Sequence, residues 1–156
     1  MTNTNELPYR RGVGIMLINN DNHVFVGKRI DTRSEAWQMP QGGIDKGEDE
    51  ETAVLRELEE ETGTSKVDII QKSKYWYNYD LPEYLIPKVW NGKYKGQTQK
   101  WFLIRFTGDD NDINIETDHP EFCEWKWVEF SSLLEIIVPF KRNIYSYIMD
   151  EFEPLI

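Results

Sequence analysis

The chain contains one cysteine, Cys123, in 156 residues. A single thiol excludes an internal disulfide and fits a reducing compartment. It reads as a buried structural thiol rather than a nucleophile. No apolar run approaches the length that crosses a bilayer. The opening residues, MTNTNELPYRRG, lack the apolar centre of a signal peptide. The expectation is therefore a soluble, cytoplasmic protein with no membrane association. Repeats, low-complexity tracts and linkers are also missing, so residues 1–156 read as one domain. Basic residues are in deficit, with 18 Lys and Arg against 28 Asp and Glu and a net charge of −10. Proteins that hold a long duplex by its backbone are usually basic, so extended backbone tracking is disfavoured. Holding one end of a polyphosphate through a bound cation is not. What the chain does have is apolar substance: 39% hydrophobic and 13% aromatic residues, enough for a packed core.

Strand patterns come first. VGIMLI (13–18) and HVFVGK (23–28) flank NNDN (19–22), whose turn chemistry predicts a hairpin. AWQMPQGG (36–43) predicts a short extended piece ending in a Pro/Gly loop. VDIIQKSKYWYNYDLP predicts a β-rich run, and QKWFLIRFTG (99–108) the most buried strand. In EWKWVEF (124–130), Trp125 and Trp127 fall on one side at a period of two. SSLLEIIVPFKRNIYSYIMDEF predicts two helical pieces broken at Pro139, with Ser131 or Ser132 as a cap. Strands, one strong helix, more strands and terminal helices make a mixed α/β domain, a sheet sandwiched by helices.

The strong helix begins near Glu48–Glu50 and ends at Gly63, a residue suited to the position after a helix. At about 100° per residue, Val54, Leu55, Leu58 and Thr62 form an apolar face. Glu57, Glu60 and Glu61 share the neighbouring face, while Glu59 points elsewhere. Like charges one turn apart cost a few tenths of a kcal/mol even in water, and more at the edge of a core. A solvated acidic face is the plain reading of such a helix. A hard divalent cation offers another, because it removes the repulsion and takes carboxylate oxygens as ligands. The surroundings favour the cation: GGIDKGE supplies a glycine-rich approach to phosphate or metal. Arg56 stands ready to pin a carboxylate with a two-pronged hydrogen bond.

These residues resemble the Nudix signature G-x5-E-x7-R-E-U-x-E-E-x-G-U, where U is aliphatic. Gly42, Glu48, Arg56, Glu57, Leu58, Glu60, Glu61 and Gly63 match at the required spacing, and only Thr64 departs. The flanking stretches PYRRGVGIML, AWQMPQGGI, KWFLIRF, PEFCEWKWV and PFKRNIY resemble the RNA pyrophosphohydrolase branch, which also holds dinucleoside polyphosphate hydrolases. The resemblance spans nearly the whole chain and implies a Nudix α/β/α sandwich with a mixed sheet. It implies Glu57, Glu60 and Glu61 as ligands of Mg²⁺ or Mn²⁺, with a carbonyl added by Gly42. Glu48 and Arg56 become supports that orient carboxylates, and Glu121 a distal ligand or general base. Arg10, Lys28, Arg29, Gln38, Gln41, Tyr79 and Lys141 match positions that contact phosphates or the first bases.

Cleaving a phosphoanhydride requires neutralised phosphoryl oxygens and an activated in-line water. Glu60, Glu61 or Glu121 would accept the proton, and Tyr79 would stack a terminal base. The implied activity is removal of pyrophosphate from the 5′-triphosphate end of RNA. The rival readings are asymmetric hydrolysis of dinucleoside polyphosphates and a non-catalytic Nudix-fold binding module. The intact glutamates argue against the last. No protein partner is implied.

Overall fold

The structure is a computed structural model and describes residues 6–30 and 37–156. Six strands form one sheet: β1 (Tyr9–Ile18), β2 (Val24–Arg29), β3 (Gln41–Gly43), β4 (Val67–Asp80), β5 (Gly96–Phe106) and β6 (Phe122–Val128). Their order is β4-β5-β1-β2-β6, with β3 paired to β1 beside β2. β1 and β5 run parallel from Tyr9↔Gly96 to Ile18↔Arg105, and the other pairs are antiparallel. The sheet is mixed, as the sequence implied.

The hairpin at Asn19–Asn22 forms as expected. The Asn19 side-chain oxygen accepts from the Asp21 and His23 amides, and Asn22 takes the left-handed conformation at φ 60°. The segment 36–43 departs from its expectation. Ala36 lies outside the described residues, and Gln41–Gly43 is a strand rather than a loop, with Val13↔Gly42 in register. The short strand lets the loop that follows it begin on rigid backbone.

The alternation along β1 and β5 sends side chains to two cores. Val13, Ile15, Leu17, Phe102 and Ile104 face helix α1 (Glu50–Thr62), meeting Ala53, Val54 and Leu58. Met16, Ile18, Trp101 and Leu103 face helix α3 (Arg142–Phe152), meeting Ile144, Tyr145, Ile148 and Phe152. Helices on both faces complete the α/β/α sandwich. Trp125 and Trp127 share a side as predicted, both packing on the ring of Phe25.

Three local expectations need correction. Cys123 is exposed, not buried; its thiol lies at the surface against the Lys28 and Arg29 carbonyls at the end of β2. Leu55 is 42% exposed, since it sits at the far margin of the helical stripe, beyond the reach of the sheet. Neither Ser131 nor Ser132 caps α2 (Leu133–Ile136) with its side chain. A 3₁₀ turn over Phe130–Ser132 leads directly into α2, and it pairs the Ser132 amide with Glu129 instead.

Candidate active site

Helix α1 is fixed at both ends. Asp49 Oδ1 accepts from the Thr52 amide at 2.7 Å, and Glu50 and Glu51 occupy the first turn, where the helix dipole favours acids. At the other end Gly63 has φ 73° and donates its amide to Glu59 O. Thr64, the one departure from the signature, is buried and its hydroxyl accepts from the Lys66 amide. A polar side chain is tolerated there because its oxygen has a partner.

Arg56 organises the acids. Its Nε and Nη2 grip Glu48 at 2.8 Å each, its Nη2 also donates to Gly43 O at 2.9 Å, and its Nη1 donates to Glu57 Oε1 at 2.9 Å. Glu60 lies 3.3 Å from Nη1, and Asp45 lies 3.5 Å from Nη2. The guanidinium therefore ties the end of β3, the following loop and the middle of α1 together. The Arg56 hydrogen bonds, helped by the Asp45 amide, hold the Glu48 carboxyl down to about 2.

The three glutamates of the signature occupy different environments. Glu60 is open to water, with 54% of its side chain exposed. Glu57 is largely enclosed: burial pushes its carboxyl up to about 7, against the opposing pull of Arg56 and Arg10. Glu61 is only 3% exposed. Burial first, then Glu57 and Glu121, raises it well above the carboxylate range. Its Oε2 accepts from the Gln41 amide at 3.1 Å. Glu61 thus sits under the sheet edge rather than on the solvent face of the helix.

Gly42 borders this pair. A Cβ there would fall 1.9 Å from Glu57 Cδ. Gly42→Ala is therefore expected to displace the Glu57 carboxylate and cut kcat at least about tenfold, the low end for disturbing groups that orient a metal ligand. Activity and a melting curve of the purified variant check this; wild-type kcat would remove Gly42 from the site.

Two arginines flank the acids. Arg29 Nη2 lies 3.3 Å from Glu121 Oε2, and both bear electrostatically on Glu61. Arg10 lies over Gly43, where a Cβ would meet Nη2 at 2.0 Å, and its Cζ is 5.5 Å from the Trp90 ring centroid. The loop leading to Glu121 hangs from the end of α1: the Asn114 amide donates to Thr62 O, and the Thr117 hydroxyl to Glu60 O at 2.6 Å. An open groove of about 500 Å³ lies there, lined by Arg56, Glu60, Thr117 and His119 among others.

A second polar group lies on the α3 side. Gln41 links Tyr79 OH to Gln99, and Gln99 bonds Gln97 and the Trp101 indole. Lys141 Nζ donates to Gln38 Oε1 at 3.2 Å and lies 5.1 Å from the Tyr79 ring centroid. Burial, then Arg29, lowers Lys141 to about 7. Gln38 Nε2 is buried without a partner. Tyr79 is 6% exposed and Lys141 3%, so neither presents an open face to a base or a phosphate. Lys141 and Phe140 cover the Tyr79 ring, and the tyrosine holds Gln41 in place. Lys28 is half-buried at the end of β2, opposite Glu124. Gln97 and Gln99 were missed; their signal is a period-two Gln-x-Gln in an otherwise apolar strand.

As the side chains stand, no three acidic, histidine or cysteine groups among the described residues converge on one point. Arg56 draws Glu57 and Glu60 toward itself. The donor chemistry nonetheless fits a hard cation: two desolvated carboxylates and a third beside them, with Gly42 bordering Glu57.

A model of the NUDIX domain matches residues 8–148. The RNA pyrophosphohydrolase of Rickettsia africae (strain ESF-5) is 59% identical over 151 residues, covering 97% of this chain and 94% of that protein. The RNA pyrophosphohydrolase of Rickettsia prowazekii (strain Madrid E) is 58% identical with the same coverage. Among solved structures, the MutT protein from Methanosarcina mazei Go1 superposes with a TM-score of 0.69 at 20% identity, covering 93% of this chain and 95% of that one. A C. elegans Ap4A hydrolase binary complex gives 0.69 at 18%, covering 94% and 96%. These last two likenesses bear on the fold alone.

Proposed function

The chain belongs to the Nudix family, and on that premise we propose that residues 1–156 act as one domain that removes pyrophosphate from the 5′-triphosphate end of RNA. The observation that carries the substrate is the 58–59% identity, across 97% of the chain, to proteins named RNA pyrophosphohydrolase. In this reading Glu57, Glu60 and Glu61, with the Gly42 carbonyl, hold divalent metal, which the family generally needs. When bound, Mg²⁺ or Mn²⁺ neutralises phosphoryl oxygens and lowers the pKa of a coordinated water. Arg56 and Glu48 orient the ligands. Arg10 and Arg29, at the margins of the acids, bind phosphate oxygens. Glu60 is engaged by Arg56, Glu61 by the Gln41 amide and Glu121 by Arg29; Glu121, outside the metal-holding set in this reading, is assigned to accept the proton of the attacking water. The new bond joins water oxygen to the α-phosphorus, the α–β anhydride bond breaks, and pyrophosphate carries off the bridging oxygen.

The test is turnover of triphosphorylated RNA and of diadenosine tetraphosphate side by side, with Mg²⁺ or Mn²⁺ supplied. Release of pyrophosphate from RNA at the higher kcat/KM supports the proposal. Preference for the dinucleotide would assign the site to dinucleoside polyphosphates.

Metal removal gives a second expected result. In excess EDTA turnover ceases, and stability acquires a distinctive pH dependence. Glu57 titrates near 7 in the fold against about 4.5 unfolded. Between those values the folded state binds more protons, so unfolding free energy falls as pH rises. The drop from pH 4.5 to above 7 is on the order of 3 kcal/mol for this group, and Glu61 acts in the same direction. Glu48 is opposite: its pKa is depressed, so its contribution is present above 4.5 and is lost as pH falls toward 2. Urea titrations in EDTA across pH 4–8 measure this. A metal-free protein that is most stable at pH 8 would contradict the enclosed-carboxylate geometry.

A further inference from the structure

The sheet face that α1 covers is covered only in part. Beyond Val13 the same face continues through Tyr9 and Arg11 of β1, Thr98 and Lys100 of β5, and Trp76 of β4, in register as Arg11↔Thr98 and Trp76↔Lys100. Among the described residues no helix lies over these rows. Arg11 is exposed, Tyr9, Thr98 and Trp76 are half-buried and Lys100 is 9% exposed, whereas on the opposite face of the same rows Gly12, Gln97, Gln99 and Tyr79 are buried. An open strand face carrying two aromatic rings is unusual in a protein that has a helix available to cover it.

The chemistry of that face is specific. Arg11 Cζ lies 5.0 Å from the Trp76 ring centroid and Lys100 Nζ 5.6 Å; Lys95 Nζ lies 4.7 Å from the Tyr9 ring. Asp80 shares this face and accepts from Tyr9 OH at 2.5 Å. Cations and aromatic rings are thus interleaved on one patch of a chain whose net charge is −10. The patch also adjoins the candidate site. The Ile44 amide bonds Arg11 O, and Gly43 pairs with Gly12. From β3 through β1 and β5 to β4 is three strand spacings, roughly 14 Å.

We propose that this uncovered face is a platform for single-stranded RNA, receiving the nucleotides that follow a 5′ end held at the acidic site. The inference rests on the function proposed above and adds a surface to it. Bases stack on Trp76 and Tyr9, and Arg11, released from the indole ring, pairs with a phosphate alongside Lys95. Ring faces accept any base, so the contact is sequence-tolerant. A few cations at a short footprint also resolve the charge problem: the acidic remainder of the surface repels the rest of the chain, and only the leading nucleotides are held.

The test uses full-length protein and two probes. The first is a 5′-hydroxyl single-stranded RNA of about ten nucleotides, within the span such surfaces take, with binding read by anisotropy in EDTA. The second is turnover with Mg²⁺ of a triphosphorylated dinucleotide against a triphosphorylated RNA of the longer length. Trp76→Leu is expected to weaken hydroxyl-RNA binding roughly five- to 150-fold, the range for loss of one stacked base, and Trp76→Phe to restore most of it. Arg11→Gln should reduce the salt dependence of log K by about 0.7, one single-strand phosphate contact. Both variants raise KM for the longer RNA and leave the dinucleotide, too short to cross three strands, at wild-type kcat/KM. Undetectable binding of hydroxyl RNA by wild type, or equal binding by wild type and Trp76→Leu, overturns the platform. Variant-sensitive binding without release of pyrophosphate from either RNA leaves the platform standing and overturns the proposed activity instead.

Discussion

Glu61→Gln is expected to lower kcat on triphosphorylated RNA by at least about a hundredfold, beyond the 10- to 100-fold typical of disturbing a group that merely supports a ligand. The same change should raise the melting temperature of the metal-free protein. The two effects have one cause. Glu61 is 3% exposed, and its carboxyl accepts from the Gln41 amide, with Glu57 and Glu121 adding repulsion. Burial keeps that carboxyl protonated where the unfolded chain would ionise it, which costs stability at neutral pH. Glutamine keeps the shape, and its carbonyl oxygen still accepts from Gln41 N, while the charge that would attract a divalent cation is gone. Glu60→Gln, on an exposed side chain, should change stability by less than about 0.5 kcal/mol, as surface substitutions do. Single-turnover assays with Mn²⁺ and melting curves in EDTA give both readouts. A Glu61→Gln enzyme with near-normal kcat and unchanged Mn²⁺ affinity would remove Glu61 from the ligand set.

Loss of Arg56 should be the most damaging single change to the site as a structure. Its guanidinium serves Glu48, Gly43 O, Glu57 and Glu60 together and is 27% exposed. Arg56→Ala leaves Glu48 and Glu57 enclosed without their cation. Breaking one partner of such a pair costs about 3–5 kcal/mol, against less than about 1 kcal/mol for a surface pair. Turnover should fall with it, because the loop after β3 loses its tie to α1. Arg56→Lys is expected to rescue little, since one ammonium cannot grip Glu48 with two parallel bonds and also reach Gly43 O. Urea denaturation and kcat of both variants check this. Full activity and stability in Arg56→Lys would show that charge alone suffices.

The helix was legible in the sequence because its determinants are local. Acids at its start, a 3.6-residue apolar stripe and a glycine after the last turn lie within a few residues of what each acts on. They placed α1 at Glu50–Thr62 within the expected limits. The hairpin, the break at Pro139 and the paired tryptophans of β6 were local in the same sense. The spacing of Gly42, Glu48, Arg56, Glu57, Glu60 and Glu61 likewise carried the family without any coordinate.

What the tertiary structure decided is how each of those residues is solvated, because burial depends on what packs from elsewhere in the chain. A helical wheel puts Glu57, Glu60 and Glu61 on one face. The arrival of β3 encloses Glu61 and Glu57 and leaves Glu60 in water, splitting three like residues into three electrostatic roles. Leu55 belongs to the apolar stripe by angle, yet the sheet ends before it. Tyr79 and Lys141 sit 62 residues apart and look available singly, but α3 and the turn before it bring Lys141 and Phe140 onto the Tyr79 ring. The platform at Tyr9, Arg11 and Trp76 exists only because α1 is shorter than the sheet it covers, which no alternation of residues along one strand can state.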